Sequence, residues 1–331
     1  MKNFIISLCL CIEICSMIKV KQYYKGIEVV FMSSMFQIIS DGSCDLTPEW
    51  TKENNVEVVP FYVSFDHEHY YKEVEEVNIR DFYSKMVENP NLFPKTSLPA
   101  IDDYIKIFTH YAEKGIPVLC ICITSKFSGS FNAANNARMI LMDDYPEAII
   151  TVLDSTVITG LQGLFVKEAV RMRDNGITYE ETIDKLEKIK DTGRIFFTTA
   201  DISYLKSGGR LGKLMSIANN TLKVKPMIVF CEGEIFPSGM VRARKKSYEK
   251  IIDQVRKHFK DSNENPDEYN FWVGYGYDKE EGQAFCDMIL SDLKSYSNLE
   301  SLDTFQIGAT IGVHTGPHPL GIVLLKKYEA V

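Results

Sequence analysis

With 331 residues, 45% of them hydrophobic and 25% charged, the chain has the length and composition of a globular protein with a well-buried core, in one large domain or two. Its net charge of −8 excludes the basic face that nucleic acid or an anionic membrane surface would require. The eight cysteines form neither zinc-type CxxC pairs nor the dense framework of a small secreted domain, which predicts a reduced, cytoplasmic setting.

Residues 1–35 stand apart. "MKNFIISLCLCIEICSMIKVK" places Lys2 ahead of an apolar stretch in the manner of a signal sequence. Glu13 interrupts it, no small-residue cleavage site follows, and it is short for a membrane span. A leader is one reading. The other is a start assigned too far upstream, since Glu28-Val29 can be encoded by GAG-GTG, a purine-rich string like a ribosome-binding site; it predicts translation from Met32 or Met35.

From Phe36 onward the pattern is regular. "FQIISDGSCDL" is an apolar strand running into Ser40-Asp41-Gly42-Ser43, as at the carboxyl end of a parallel strand. "VEVVPFYVSF" (56–65) reads as a second strand region, and "IRDFYSKMVEN" as an amphipathic helix. "PAIDDYIKIFTHYAEKG" is a helix opened by Pro99 and stopped by Gly115. "PVLCICIT" (117–124) and "AIITVLDS" (148–155) are buried strands, each followed by a helix. Residues 36–160 therefore read as a parallel α/β domain with helices on both faces.

Residues 161–331 have another rhythm, which predicts a second domain with a mixed sheet. "RIFFTTA" is a strand, "PMIVFCEGEIFPSG" a hairpin turning at Glu232-Gly233, "SYEKIIDQVRKHF" a helix, "EYNFWVGYGY" a strand, and "LGIVLLKKY" the last strand. "KDSNENPDEY" (260–269) reads as a disordered loop, and basic "VRARKKS" (241–247) as solvated surface.

Four stretches carry candidate chemistry. In "SKFSGSF", Ser128-Gly129-Ser130 sits between a strand and a helix, where unpaired N–H groups and the dipole accept anions. Gly129 admits close approach, and Ser125, Ser128 and Ser130 are hydroxyl donors. A plain helix cap is the other reading, and it needs only one serine. "FPKTSLPA" repeats the theme, with Thr96 and Ser97 just before the helix opened by Pro99, one hydroxyl capping and the other free. In "GATIGVHTGPHPLG" (308–321), glycines and prolines predict a tight loop holding His314, either a structural histidine or a donor to an anion. In "YLKSGGRLG", Gly208-Gly209 place Arg210 on a turn, to pair with phosphate or carboxylate or to cap a helix.

These motifs together with "IISDGSCDLT", "LDS" (153–155) and "KPMIVFCEGEI" occur in the order of the DegV family, which the chain resembles from about Phe36 to its end. That family includes the fatty-acid-binding subunits of bacterial fatty acid kinase. The resemblance implies a two-domain fold that buries a long-chain fatty acid, with no cofactor and no catalysis of its own. It also implies an ATP-dependent kinase partner that phosphorylates the carboxylate to an acyl phosphate. By the same resemblance Thr96 and Ser128 hold the carboxylate, Ser97, Gly129 and His314 complete the head-group site, and Arg210 stands near the surface that the kinase approaches. Gly42 departs from the family's usual Ser or Thr, and His318-Pro319 from its small residues.

The physics supports such a ligand independently. Burying an alkyl tail contributes about 0.8 kcal/mol per methylene, ~10 kcal/mol gross for a common fatty acid. The carboxylate then needs donors in place of its hydration, and uncharged hydroxyls and helix-start N–H groups supply them. No GxxxxGK[ST] occurs, so ATP is expected on a partner. Two other readings remain. One is a binding protein for another small anionic or phosphorylated ligand. The other is a serine hydrolase built from Ser128, Asp154 and His314, in the α/β-hydrolase order but without its G-x-S-x-G elbow.

Overall fold

The computed structural model describes residues 36–200, 202–215 and 224–331. The leader and start expectations at 1–35 lie outside the described residues.

Alternation fixes the first sheet. Strands β1 (Gln37–Asp41), β2 (Val56–Val59), β6 (Val118–Cys122) and β7 (Ile150–Asp154) form a parallel sheet in the order β2-β1-β6-β7. Side chains alternate along each strand, so Ile39, Cys120 and Cys122 join one apolar cluster while Ile38, Leu119 and Ile121 join another. Both faces need cover, which is why these strands are apolar throughout. Helices α3 (Ile101–Ala112) and α4 (Ser130–Asp144) cover one face through Tyr104, Phe108 and the small residues Ala133, Ala134 and Ala137.

The other face packs on α5 (Thr159–Asp174), which is buried on nearly every side. A helix of that kind belongs between two layers. Beyond it lies a mixed six-stranded sheet in the order β10-β9-β8-β13-β11-β12. Its strands are β8 (Arg194–Thr198), β9 (Lys225–Cys231), β10 (Glu234–Val241), β11 (Tyr269–Tyr275), β12 (Thr304–Gln306) and β13 (Leu320–Lys326), with only β11 and β12 parallel. One apolar cluster runs from Ile38 and Ile121 through Leu161 and Phe165 to Phe197, Phe305 and Val323, joining both sheets through α5. The outer face of the second sheet carries α8 (Arg244–Ser262) and α9 (Lys279–Leu293). The hairpin turns at Glu232 (φ 52°) and Gly233 (φ 76°), both left-handed as a two-residue turn of this hand requires.

Several local expectations are corrected. The 56–65 region is two strands, because Pro60 has no N–H to continue the ladder. The second, β3 (Tyr62–Ser64), joins β4 (Tyr71–Lys72) and β5 (Lys95–Ser97) in a separate antiparallel sheet. Thr96 and Ser97 therefore sit on β5 and cap nothing. Helix α3 starts at Ile101, and the Asp103 carboxylate accepts the N–H of its cap residue, Ala100, at 2.9 Å. The 308–321 stretch is a helix, α10 (Ala309–Thr315), followed by Gly316 at φ 77°. The 260–269 loop is ordered: Asn263 ends α8 in the left-handed region, and Asp267 accepts two N–H bonds from Asn298. In the basic stretch, Arg244 opens α8 and forks onto Glu281 of α9 at 2.7 and 2.8 Å, half-buried rather than solvated. No helix among the described residues is long and apolar enough to cross a membrane.

Candidate functional site

Helix α10 is short, has Gly312 at its middle and is flanked by Gly308 and Gly316, so its own propensity does not form it. Two distant carboxylates do. Asp45 accepts the N–H of Gly308 at 3.0 Å and the hydroxyl of Thr159. Glu73 accepts the N–H of Thr310 at 2.9 Å and its hydroxyl. Carboxyl oxygens at a helix N-terminus accept the orphan N–H groups that have no partner within the helix. Gly312 is required at mid-helix, since a Cβ there would meet Phe82 and the Tyr83 hydroxyl at 2.8 Å. Burial pushes the Glu73 carboxyl up to about 7, and it holds Asp45 well above the ordinary range.

Fixed in this way, α10 presents His314 to Thr96 across the gap to β5, with Nε2 and Oγ1 3.3 Å apart. Burial, and then the Arg210 charge, push His314 down to about 4, so the ring is neutral at pH 7. Its Nδ1 is buried without a hydrogen-bond partner against Gly208, where a Cβ would come within 2.1 Å of it. Only glycine fits at 208. A donor at Nε2 gives its proton to the Thr96 oxygen, which turns the threonine hydroxyl hydrogen outward.

On the facing side, the end of β6 leads through residues 123–129 into α4. Ser128 Oγ accepts the N–H of Ser130 at 3.2 Å, leaving its hydroxyl proton for another acceptor. Ser130 points the other way. Its hydroxyl donates at 2.6 Å to Asp41, whose carboxylate also takes N–H bonds from Ile123 and Gln162 and the Ser43 hydroxyl. That buried node fastens β1, β6, α4 and α5 together, so Ser130 is structural. Ser125 donates its backbone N–H to Asp154 at 3.1 Å.

Thr96, Ser97, Ser128, Arg210 and His314 all line one cavity of about 220 Å³. Gly129 caps α4 behind them and is not part of that wall; Leu98 packs 3.2 Å from where its Cβ would be. Arg210 does not stand clear on a turn. Its guanidinium is half-buried and donates to the Phe127 carbonyl at 2.9 and 3.1 Å and to the Gly208 carbonyl at 2.7 Å, tying the two loops over the cavity. A cation therefore lies in the wall beside the hydroxyls, where Arg210 was offered as a partner for a carboxylate or phosphate. The serine-hydrolase chain is not assembled: Asp154 is bonded to the Ser125 and Thr156 N–H groups, and neither it nor Ser128 is hydrogen-bonded to His314.

Away from this polar end the lining is apolar, with Phe61, Ile123, Ile158, Phe197 and Ile311. Ile158, Phe197, Ile311 and Thr315 also line a second cavity of about 40 Å³ that continues between α5 and the six-stranded sheet. Sequence reasoning missed these residues because they come singly from many elements. It also missed Asp45 and Glu73, which act on a helix more than 200 positions away.

Comparison with known proteins places this geometry. Residues 35–327 match the family model described as "Uncharacterised protein, DegV family". A DegV domain-containing protein of Listeria monocytogenes is 29% identical over 294 residues, covering 88% of this chain and 98% of that protein. Among solved structures, a stearic acid-binding protein from Eubacterium ventriosum is 40% identical with a TM-score of 0.85, covering 90% of this chain and all of that one. A fatty-acid-binding DegV family protein from Thermus thermophilus is 25% identical with a TM-score of 0.77, covering 88% and 99%.

Proposed function

The chain belongs to the DegV family, and from that premise we propose that it is a carrier for a long-chain fatty acid whose carboxylate lies between Thr96 and Ser128. The observation that carries this reading is a cavity lined by the Thr96 and Ser128 hydroxyls that shares Ile158, Phe197, Ile311 and Thr315 with a second, mostly apolar cavity between α5 and the second sheet. Such a shape matches an anion on a hydrocarbon tail. It suits a small phosphorylated metabolite poorly, since that ligand needs donors on all sides. The solved relatives from Eubacterium ventriosum and Thermus thermophilus, described as stearic acid- and fatty-acid-binding, support the same choice.

In this reading His314 donates to Thr96, Thr96 and Ser128 donate to the carboxylate, and Arg210 adds positive potential from the wall. The head group faces the exposed Ser97 side, where a partner has access. We assign phosphoryl transfer to an ATP-dependent kinase partner. A carboxylate oxygen attacks the γ-phosphorus, the bond to the β-phosphate oxygen breaks, and ADP leaves with an acyl phosphate remaining on the carrier. This chain supplies orientation and burial, with no cofactor of its own.

Lipid extraction and mass spectrometry of the protein purified without detergent tests the reading. The expected result is about one long-chain acid per chain, given the gross burial of ~0.8 kcal/mol per methylene. A phosphorylated metabolite in its place, or failure to bind added fatty acid, would overturn it.

A further inference from the structure

The second cavity is lined in part by Phe305. This residue lies on β12, the edge strand of the six-stranded sheet, and is 6% exposed. Its ring packs on Trp272 with centroids 4.3 Å apart. Two glycines hold it from other sides. A Cβ on Gly160 of α5 would come within 2.1 Å of the ring, and one on Gly274 of β11 within 2.7 Å. Glycine at both positions, in a helix and in a strand where it costs stability, makes room for this ring, whose atoms are the nearest to either Cβ. A side chain clasped by two backbones and an indole has no room to change rotamer.

Phe305 lines only the second cavity, whereas Thr96, Ser128 and His314 line only the first. The four shared residues join the two, so the ring lies beyond them on the side away from Thr96, Ser128 and His314. We infer that Phe305 is the stop against which the acyl tail ends, and that it sets the longest acid this protein accepts. The inference rests on the fatty-acid reading above and adds the residue that measures length.

The test is a competition among saturated acids of increasing length, read by mass spectrometry of the purified protein in its wild-type, Phe305→Ala and Phe305→Leu forms. Each methylene newly accommodated changes affinity by about fourfold, so an acid two carbons longer should gain on the order of tenfold over the wild-type optimum in Phe305→Ala. Phe305→Leu should move the optimum in the same direction by less, and it decides the matter if the alanine variant fails to fold. An unchanged order of preference with acid still bound would overturn the role of Phe305 and leave the carrier function standing. A wild-type protein that binds no acid of any length would overturn the carrier function itself.

Discussion

Replacing Thr96 and Ser128 together by alanine abolishes retention of the fatty acid and leaves the protein folded. A hydrogen bond to a charged group contributes about 1.5–3 kcal/mol, so losing two weakens binding by roughly 10² to 10⁴-fold. The folded state depends on neither hydroxyl to that degree. Thr96 holds β5 to β3 through its backbone, opposite Val63, and the partner of its side chain is His314. Ser128 loses one bond, to the Ser130 N–H, for about 1 kcal/mol. Bound lipid is measured after dilution into lipid-free buffer, and folding by urea titration. Thr96→Ser should restore most of the retention, because it keeps the hydroxyl that His314 orients. A double variant that keeps its lipid would remove Thr96 and Ser128 from the head-group site.

The second large effect is on stability against pH. Glu73 has its carboxyl raised from 4.5 to about 7, with burial the leading cause and the Asp41 charge adding to it, against the opposing bonds from Thr310. The native state therefore holds a proton here that the unfolded chain has released between those two values. The resulting stabilisation is complete below pH 4.5 and is lost as pH rises through about 7. About 2.5 pH units at 1.36 kcal/mol each make this ~3 kcal/mol. Glu73→Gln keeps an acceptor for the Thr310 N–H and cannot ionise, so its unfolding free energy should change ~3 kcal/mol less than the wild type's between pH 4 and 8. Asp45 faces the same helix end, and the Glu73 charge is one of the causes that raise its carboxyl, so its response belongs to the same difference; His314, held down to about 4, titrates in the opposite sense in both proteins. Parallel pH curves for the two proteins would show that Glu73 is not the group responsible.

The sequence carried the large elements because each is written in a local pattern. "VLCIC" is apolar on both alternating faces and must be a strand between two helical layers. The hairpin at Glu232-Gly233 is likewise marked by its turn residues, and the seven motifs in order carried the family. The three-stranded sheet was illegible for the opposite reason: β4 has two residues, β3 and β5 three each, too few for any period. Thr96 and Ser97 are consequently expected just before a helix, one of the two as its cap, rather than on a strand. Helix α10 was read as a loop because Gly308, Gly312 and Gly316 are helix-breaking in isolation. Asp45, Glu73, Phe82 and Tyr83 override that preference from far along the chain. The site residues themselves were named from motifs, while the apolar walls and the Phe305 clasp exist only once the two sheets close on α5.

The central claim is that an acid lies with its carboxylate at Thr96 and Ser128 and its methyl end at Phe305. A crystal structure of the complex with a fatty acid brominated at its last carbon measures both ends at once. The account predicts a bromine anomalous peak beside Phe305 and carboxylate oxygens within hydrogen-bonding distance of both hydroxyls. A bromine peak at Thr96, or an acid lying outside the space between α5 and the second sheet, would contradict it.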